Sequence, residues 1–256
     1  MGKVLLDISM SLDGFIAAPN DDPERPLGDG GQRLHDWVFG GTSDRTGTSP
    51  RTSATDSNRE VMDESFRTTG AIVMGRRWFD IGEEPWGDNP PFQVPVFVLT
   101  HHAREKLIKE GGTTFTFVTD GIESALEQAK AAAGDKNIGV GGANIAQQCL
   151  KAGLLDEIQI HLVPVLLSEG RRLFEHIGTE QIELETTRVI SSPGHTSEVS
   201  CRQVKYLPIH AASGMGGFCG SPSNSVKQGH RPSVGKLCNT SYSVLHRTRN
   251  PGVRVK

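Results

Sequence analysis

Residues Asn137–Leu150 read "NIGVGGANIAQQCL", and their pattern decides the architecture. A short apolar piece, Ile138 to Val140, runs into two adjacent glycines, Gly141 and Gly142. An amphipathic helix begins at once, with Ile145, Ala146, Cys149 and Leu150 spaced to share one face. Strand, glycine turn and helix form the layout of a phosphate cradle. Backbone N–H groups at a helix N-terminus attract anions, and glycine lets the backbone approach them closely. The Lys-Ser/Thr of a P-loop is absent here, as is the spaced glycine triplet of a dinucleotide-binding Rossmann turn. On this stretch alone the turn is either an anion site or a plain structural turn.

Working outward, "GAIVMG" (70–75), "VPVFVLT" (94–100) and "TFTFVT" (114–119) read as buried strands. Asp120 with Glu123 resembles a capping box, opening a helix with Ala125, Leu126, Ala129 and Ala132 inward and Gly134 at its end. Asn58 is placed to cap a helix carrying Val61, Met62, Ser65 and Phe66. Residues 3–9 alternate weakly and read as the first strand. From Met10 to about Asn58 the chain is loop-rich, broken by a short helical pattern at Leu34, Trp37 and Val38. A structureless stretch of that length signals a lid, a binding loop or disorder. Downstream, "EIQIHLVPVL" is a strand, and "IELETTRVI" with "TSEVSCRQVKYL" is a hairpin joined by Ser-Pro-Gly. Strands alternating with helices predict an α/β fold. Its sheet is mostly parallel, with helices on both faces, and the C-terminal hairpin adds an antiparallel edge.

The bulk composition narrows the class. The 256 residues are 36% hydrophobic, and no apolar run approaches the roughly 20 residues of a membrane span. Asp7 interrupts the N-terminal apolar run too early for a signal peptide, so a cytoplasmic protein is expected. Cys149, Cys201, Cys219 and Cys238 have no close-pair spacing, which points to neither a zinc site nor a disulfide framework. The net charge of −3 hides an asymmetry: residues 207–256 hold seven Lys/Arg and no acid, leaving 20 basic against 30 acidic residues elsewhere. The acidic body argues against a nucleic-acid-binding fold. Two regions are expected, a folded domain at 1–206 and a basic tail at 207–256. Gly, Pro and Ser make up 18 of the tail's 50 residues, a composition that favours disorder. A nucleic-acid arm and a non-native end, such as a frame-shifted one, are the alternatives.

Two further strand ends carry anion-friendly groups. Gly75 follows a buried strand and leads into Arg76 and Arg77, whose planar forks suit phosphate, with solvated arginines as the alternative. Thr100, with His101 and His102, ends the next strand and offers hydroxyl and imidazole donors. Open parallel sheets bind ligands beyond their carboxyl ends, so the three sites reinforce one another.

In order along the chain, "MSLDGFIA" (10–17), "VMGRR" (73–77), "VFVLT" (96–100), "VGGAN" (140–144) and "EIQIHLVPVLL" with "GRRLF" (157–174) resemble the dihydrofolate reductase-like superfamily. Within it they are similar to stand-alone relatives of the reductase domain of riboflavin-biosynthesis deaminase-reductases. The resemblance covers about residues 3–206. It implies a reductase binding NADPH across the sheet, with hydride passing to a C=N or C=O of a small heterocycle. Gly141, Gly142 and Ala143, with Asn144 next to them, would hold the pyrophosphate. Gly75, Arg76 and Arg77 would meet the pyrophosphate and the adenosine 2′-phosphate. Thr100 and His101 would flank the adenosine end, and Ile16 and Ala17 would contact the nicotinamide by backbone. Asp13 would relay a proton or orient the loop, with a plain turn before Gly14 as the alternative. The resemblance also implies a homodimer through the sheet edge.

Some positions depart from the family pattern. Phe15 stands where riboflavin reductases usually carry a basic residue, and Trp78 stands where folate reductases often supply a threonine. Asp36 lies near the acidic residue by which folate reductases hold their pteridine. Trp37, Phe66 and Trp86 are candidates for lining a substrate cleft, with core packing as the alternative, and His161 reads as a packed or interface histidine. No metal is expected. Folate reduction and non-catalytic NADPH binding are the rival functions.

Overall fold

Short runs of branched and aromatic residues build the centre of the sheet, where Val4, Leu6, Val73, Val96, Val98 and Ile138 are all essentially sealed from water. The computed structural model describes residues 2–39, 56–179, 181–191 and 197–203. The basic tail and the Ser-Pro-Gly connection lie outside the described residues. The strands are β1 (Val4–Ser11), β2 (Phe15–Ala17), β3 (Thr69–Gly75), β4 (Pro95–Leu99), β5 (Leu107–Ile108), β6 (Thr114–Val118), β7 (Asn137–Gly141), β8 (Glu157–Val163), β9 (Arg171–Arg172), β10 (Leu184–Ser191) and β11 (Ser197–Gln203). The α-helices are α1 (Asp36–Phe39), α2 (Asp56–Thr68), α3 (Arg76–Trp86), α4 (Ile122–Ala133) and α5 (Ala143–Lys151).

Nine strands form one sheet in the order β10-β11-β8-β1-β7-β3-β4-β6-β5. The six strands from β8 to β6 run parallel, so their carboxyl ends share one edge. β10 and β11 pair antiparallel, and β11 adds to β8, as the hairpin pattern predicts. Alternation sorts the faces. Ala71 and Val73 of β3 join the cluster that buries α4 and α5, whereas Ile72 and Met74 join the cluster around Phe79 of α3. Leu34, Trp37 and Val61 bring α1 and α2 onto the β1–β8 region. The α/β architecture and the parallel sheet thus match the sequence reading.

Several local expectations are corrected. β1 continues through Ser11, so the loop begins later than Met10. Asn58 is not a cap: it is buried inside α2, where its amide donates to the Trp37 carbonyl at 3.0 Å. The Asp120–Glu123 capping box does not form, because α4 is preceded by Gly121 at φ 97° without a side-chain cap. Ala133, not Ala132, completes the buried face of α4. Phe66 is 41% exposed, off the inward stripe of its helix.

Candidate functional site

The turn at Gly141–Gly142 divides into two different glycines. A Cβ on Gly141 would overlap the Trp78 indole, so the missing side chain there makes room for tryptophan rather than for a ligand. Gly142 is at φ 91°, a conformation L side chains rarely adopt, and nothing lies within 4 Å of its Cβ direction. It precedes α5, whose N-terminus has no side-chain cap. Ala143 and Asn144 open that helix, and the Asn144 side chain accepts from Gln148 at 2.7 Å. The first-turn N–H groups therefore end at an open position on the carboxyl edge of the sheet, the arrangement that suits an anion.

The neighbouring strand ends meet the same edge. Gly75 precedes α3, and its Cβ direction meets Ile145 of α5 at ordinary contact distance. Arg76 and Arg77, adjacent in sequence, part company. Arg76 leans over the Phe117 ring of β6 at 5.9 Å and donates to Asp80 at 2.6 Å. Arg77 turns the other way, to Asp21 in the segment after β2. Arg76 thus reaches toward β6, the strand beside β4, and Thr100 follows the end of β4. The Thr100 hydroxyl is turned back into its own chain, accepting from the His102 N–H at 3.1 Å, while His101 is exposed.

The other half of the edge is a clasp between two segments far apart in sequence. In "SLDG", the Gly14 N–H donates to the Ser11 carbonyl, and the Ser11 hydroxyl donates to Asp13 at 2.6 Å. The Asp13 carboxylate also accepts from the Leu167 N–H at 3.1 Å and the Ser168 N–H at 2.7 Å. The Ser11 bond is the largest influence on its pKa, and it and the backbone donors outweigh burial, lowering the pKa to about 2. Arg172 lies 4.3 Å over the Phe15 ring and donates to the Asp13 carbonyl. β2, which carries Ile16 and Ala17, pairs with β9. Gly170, at φ 134°, passes so close to the Ala17 carbonyl that a Cβ there would overlap it. "SLDGFIA" and "SEGRRLF" are therefore one structural unit.

A buried polar group lies beneath it, on the α1–α2 face of β1 and β8. The His161 imidazole Nε2 is 2.7 Å from Asp7, which also accepts from Ser65 at 2.7 Å. The Trp37 indole stacks on His161 at 4.2 Å and donates to Ser9 at 2.9 Å. Burial first, and then the His161 charge, lowers the pKa of nearby His35 to about 4. Asp36 pairs with Arg33 at 2.8 Å. The three candidate cleft aromatics do not converge. Trp86 is partly buried against the Phe79–Phe115 core, stacked on Phe115 at 6.1 Å, the packing alternative to lining a cleft. Trp37 is buried against β1 and β8, and Phe66 faces outward. Cys149 is buried, and burial pushes its thiol up to about 12, as suits a core residue. Among the described residues, no cluster of three His, Cys, Asp or Glu could hold a metal, and no helix is long and apolar enough to cross a membrane.

The family model for the RibD C-terminal domain matches residues 2–195 of this chain. The chain belongs to the RibD C-terminal domain family. Among its relatives is the uncharacterized protein YyaP of Bacillus subtilis (strain 168), 23% identical over 197 residues, or 74% of this chain and 90% of YyaP. A putative riboflavin biosynthesis protein from Shewanella sp. PV-4 superposes with a TM-score of 0.57 at 21% identity, covering 79% of this chain and 99% of that one. The deaminase/5-amino-6-(5-phosphoribosylamino)uracil reductase of Thermotoga maritima gives 0.51 at 15% identity, and Acinetobacter baumannii RibD gives 0.53 at 14%. Each covers about four-fifths of this chain, which spans only 57% and 59% of the two longer proteins. The fold of this RibD C-terminal domain is dihydrofolate reductase-like, as the motif order implied.

Proposed function

We propose that the protein is an NADPH-dependent reductase that delivers hydride to a C=N or C=O of a small heterocycle, of the riboflavin-biosynthesis type. One observation supports this most. Gly142 presents an open, uncapped helix N-terminus on the carboxyl edge of the sheet, between Arg76 on one flank and the SLDG–SEGRR clasp on the other. A dinucleotide laid along that edge would place its diphosphate on the α5 amides and its adenosine phosphate near Arg76, Thr100 and His101. Its nicotinamide end would lie against the backbone of Ile16 and Ala17. When bound, the nicotinamide supplies the hydride. The protein's residues position the reactants and exclude water.

Asp13 acts as a positioning residue in this reading. Its oxygens are engaged by three donors, and its low pKa leaves no proton to give at neutral pH. The proton on the reduced substrate would then come from water. The test is a titration with NADPH and NADH that follows tryptophan emission. Trp78, 37% exposed and lying against Gly141, is the natural reporter. Saturable binding that favours NADPH is expected. A folded sample that binds neither cofactor would remove the reading.

A further inference from the structure

β1 reads "VLLDISMS", and its alternation puts Leu5, Asp7, Ser9 and Ser11 on one face and Val4, Leu6, Ile8 and Met10 on the other. The second set joins the core beneath α4 and α5. The first set turns polar at Asp7, although it lies under α1 and α2, where burial favours apolar side chains. Polar groups in such a place cost stability unless they are bonded. All three are engaged: Asp7 by His161 and Ser65, Ser9 by the Trp37 indole, and Ser11 by the Phe15 N–H and Asp13.

The apolar packing on this face falls into two separate clusters. One, with Leu34, Trp37, Val61 and Val163, lies under α1 and α2; the other, with Met74, Phe79, Val96, Val98 and Phe115, lies under α3. Neither takes a side chain from β1 or β7, the two strands between them. On this face β7 offers Gly139 and Gly141, since Ile138 and Val140 point to the other. One step past the Leu6–Val140 pair come Asp7 and Gly141. The Trp78 indole of α3 lies over Gly141 and is 37% exposed, and the Asp7 side chain is 21% exposed. A carboxylate and an aromatic surface therefore border one seam, between α2 and α3, and both reach solvent.

A carboxylate has roughly four acceptor positions, and here His161 Nε2 and the Ser65 hydroxyl use one on each oxygen. They are the only hydrogen-bond partners of Asp7 among the described residues. One comes from β8 and one from α2, and Trp37 of α1 stacks on the imidazole, so three elements fix how the carboxylate is turned. We infer that Asp7 is a specificity-determining residue of a cleft between α2 and α3, where its carboxylate accepts the N–H groups of an amino-substituted nitrogen heterocycle. Trp78 supplies the aromatic wall for that ring, and His161 and Ser65 are positioning residues that aim the acid. An acceptor-only group selects rings with N–H donors at its edge and rejects those that lack them. The reading of the protein as a reductase enters only in calling that heterocycle the substrate.

The test is calorimetric titration of the full chain with 2,4-diaminopyrimidine and with 2,4-dimethylpyrimidine, its match in shape without N–H donors. The diamino compound should bind at least about tenfold more tightly, the size of one charge-assisted hydrogen bond. Asp7→Asn should weaken the diamino compound alone and bring that ratio below about threefold. His161→Gln and Ser65→Ala leave the carboxylate in place but loosen its aim, so each should lower the ratio part-way. A purely structural Asp7–His161 pair would instead lower both affinities together and leave the ratio unchanged. Ser65→Ala carries the test should Asp7→Asn not fold. No preference for the diamino compound in the unaltered chain, or a preference that these variants leave untouched, would overturn the inference. NADPH binding by the unaltered chain tests the reductase reading separately, so either idea can fail alone.

Discussion

Trp78 and Gly141 form a single packing unit, and a double-mutant cycle measures it. Gly141 is not at positive φ, so an alanine there is compatible with the backbone. Its Cβ would instead overlap the six-membered ring of Trp78, which must then leave. Trp78 is 37% exposed and meets Trp86 and Phe92 edge-on at 6.4 and 6.3 Å. A tryptophan offers up to about 250 Å² of burial, so at most roughly 160 Å² is at stake here. At about 25 cal/mol per Å² this is an upper bound of about 4 kcal/mol. Gly141→Ala should therefore destabilise the protein by about 2–3 kcal/mol, since part of the indole will find new contacts. In a Trp78→Ala background the same change should lie within about 1 kcal/mol of neutral, because the obstacle has gone. The assay is urea unfolding followed by far-UV circular dichroism, which does not depend on the tryptophan removed. Equal losses in both backgrounds, with a coupling below about 0.5 kcal/mol, would refute the claim that Gly141 exists for Trp78.

His35 has a folded-state pKa of about 4, below its ordinary value of 6.5, so the unfolded chain binds the extra proton first between those limits. Stability should be complete above pH 6.5 and fall as the pH drops from there toward 4; His35→Gln should flatten that slope in pH-dependent melts. For Asp13, also depressed, the clasp should hold at neutral pH and weaken as the pH falls from about 4 toward 2. Asp13→Asn replaces one of the two acceptor oxygens by a donor, so hydrogen exchange at whichever of the Leu167 and Ser168 amides then faces the NH2 should speed at least about tenfold. Unchanged exchange there would show the loop is fixed by other bonds. Arg76→Ala should weaken NADPH more than NADH in the fluorescence titration; equal losses would mean Arg76 does not meet the 2′-phosphate.

The parts of the fold read correctly from sequence are those with local causes. Short runs of β-branched and aromatic residues marked β3, β4, β6 and β7, and the spacing of Ile145, Ala146, Cys149 and Leu150 marked the buried face of α5. The misread details depend on distant partners. Asn58 looks like a cap until the Trp37 carbonyl, 21 residues away, claims its amide. Trp86 packs on Phe92 and Phe115, ring contacts that its own local pattern does not announce. The β2–β9 ribbon has three residues on one side and two on the other, too few for any period to register. Arg76 and Arg77 read as a pair, because nothing in two adjacent letters says that a helix start will aim them at opposite flanks. The Asp13 clasp and the Asp21–Arg171 contact join segments about 150 residues apart, and no local pattern encodes such a meeting.

The place of β1 in the sheet has a consequence for how the molecule is made. β1 is synthesised well before β7 and β8, the two strands it lies between, and Val4 aligns with Ile138 while Leu6 aligns with Ile158. At about 5–20 residues per second, a ribosome needs on the order of ten seconds to supply those partners. Throughout that interval Val4 and Leu6, later among the driest of the described residues, lack their sheet partners. Such non-local pairing makes folding slow and leaves the nascent chain open to aggregation. β1 is thus a segment that a chaperone would have much to protect, and substitutions in it should reduce the yield of folded protein more than its final stability alone would suggest.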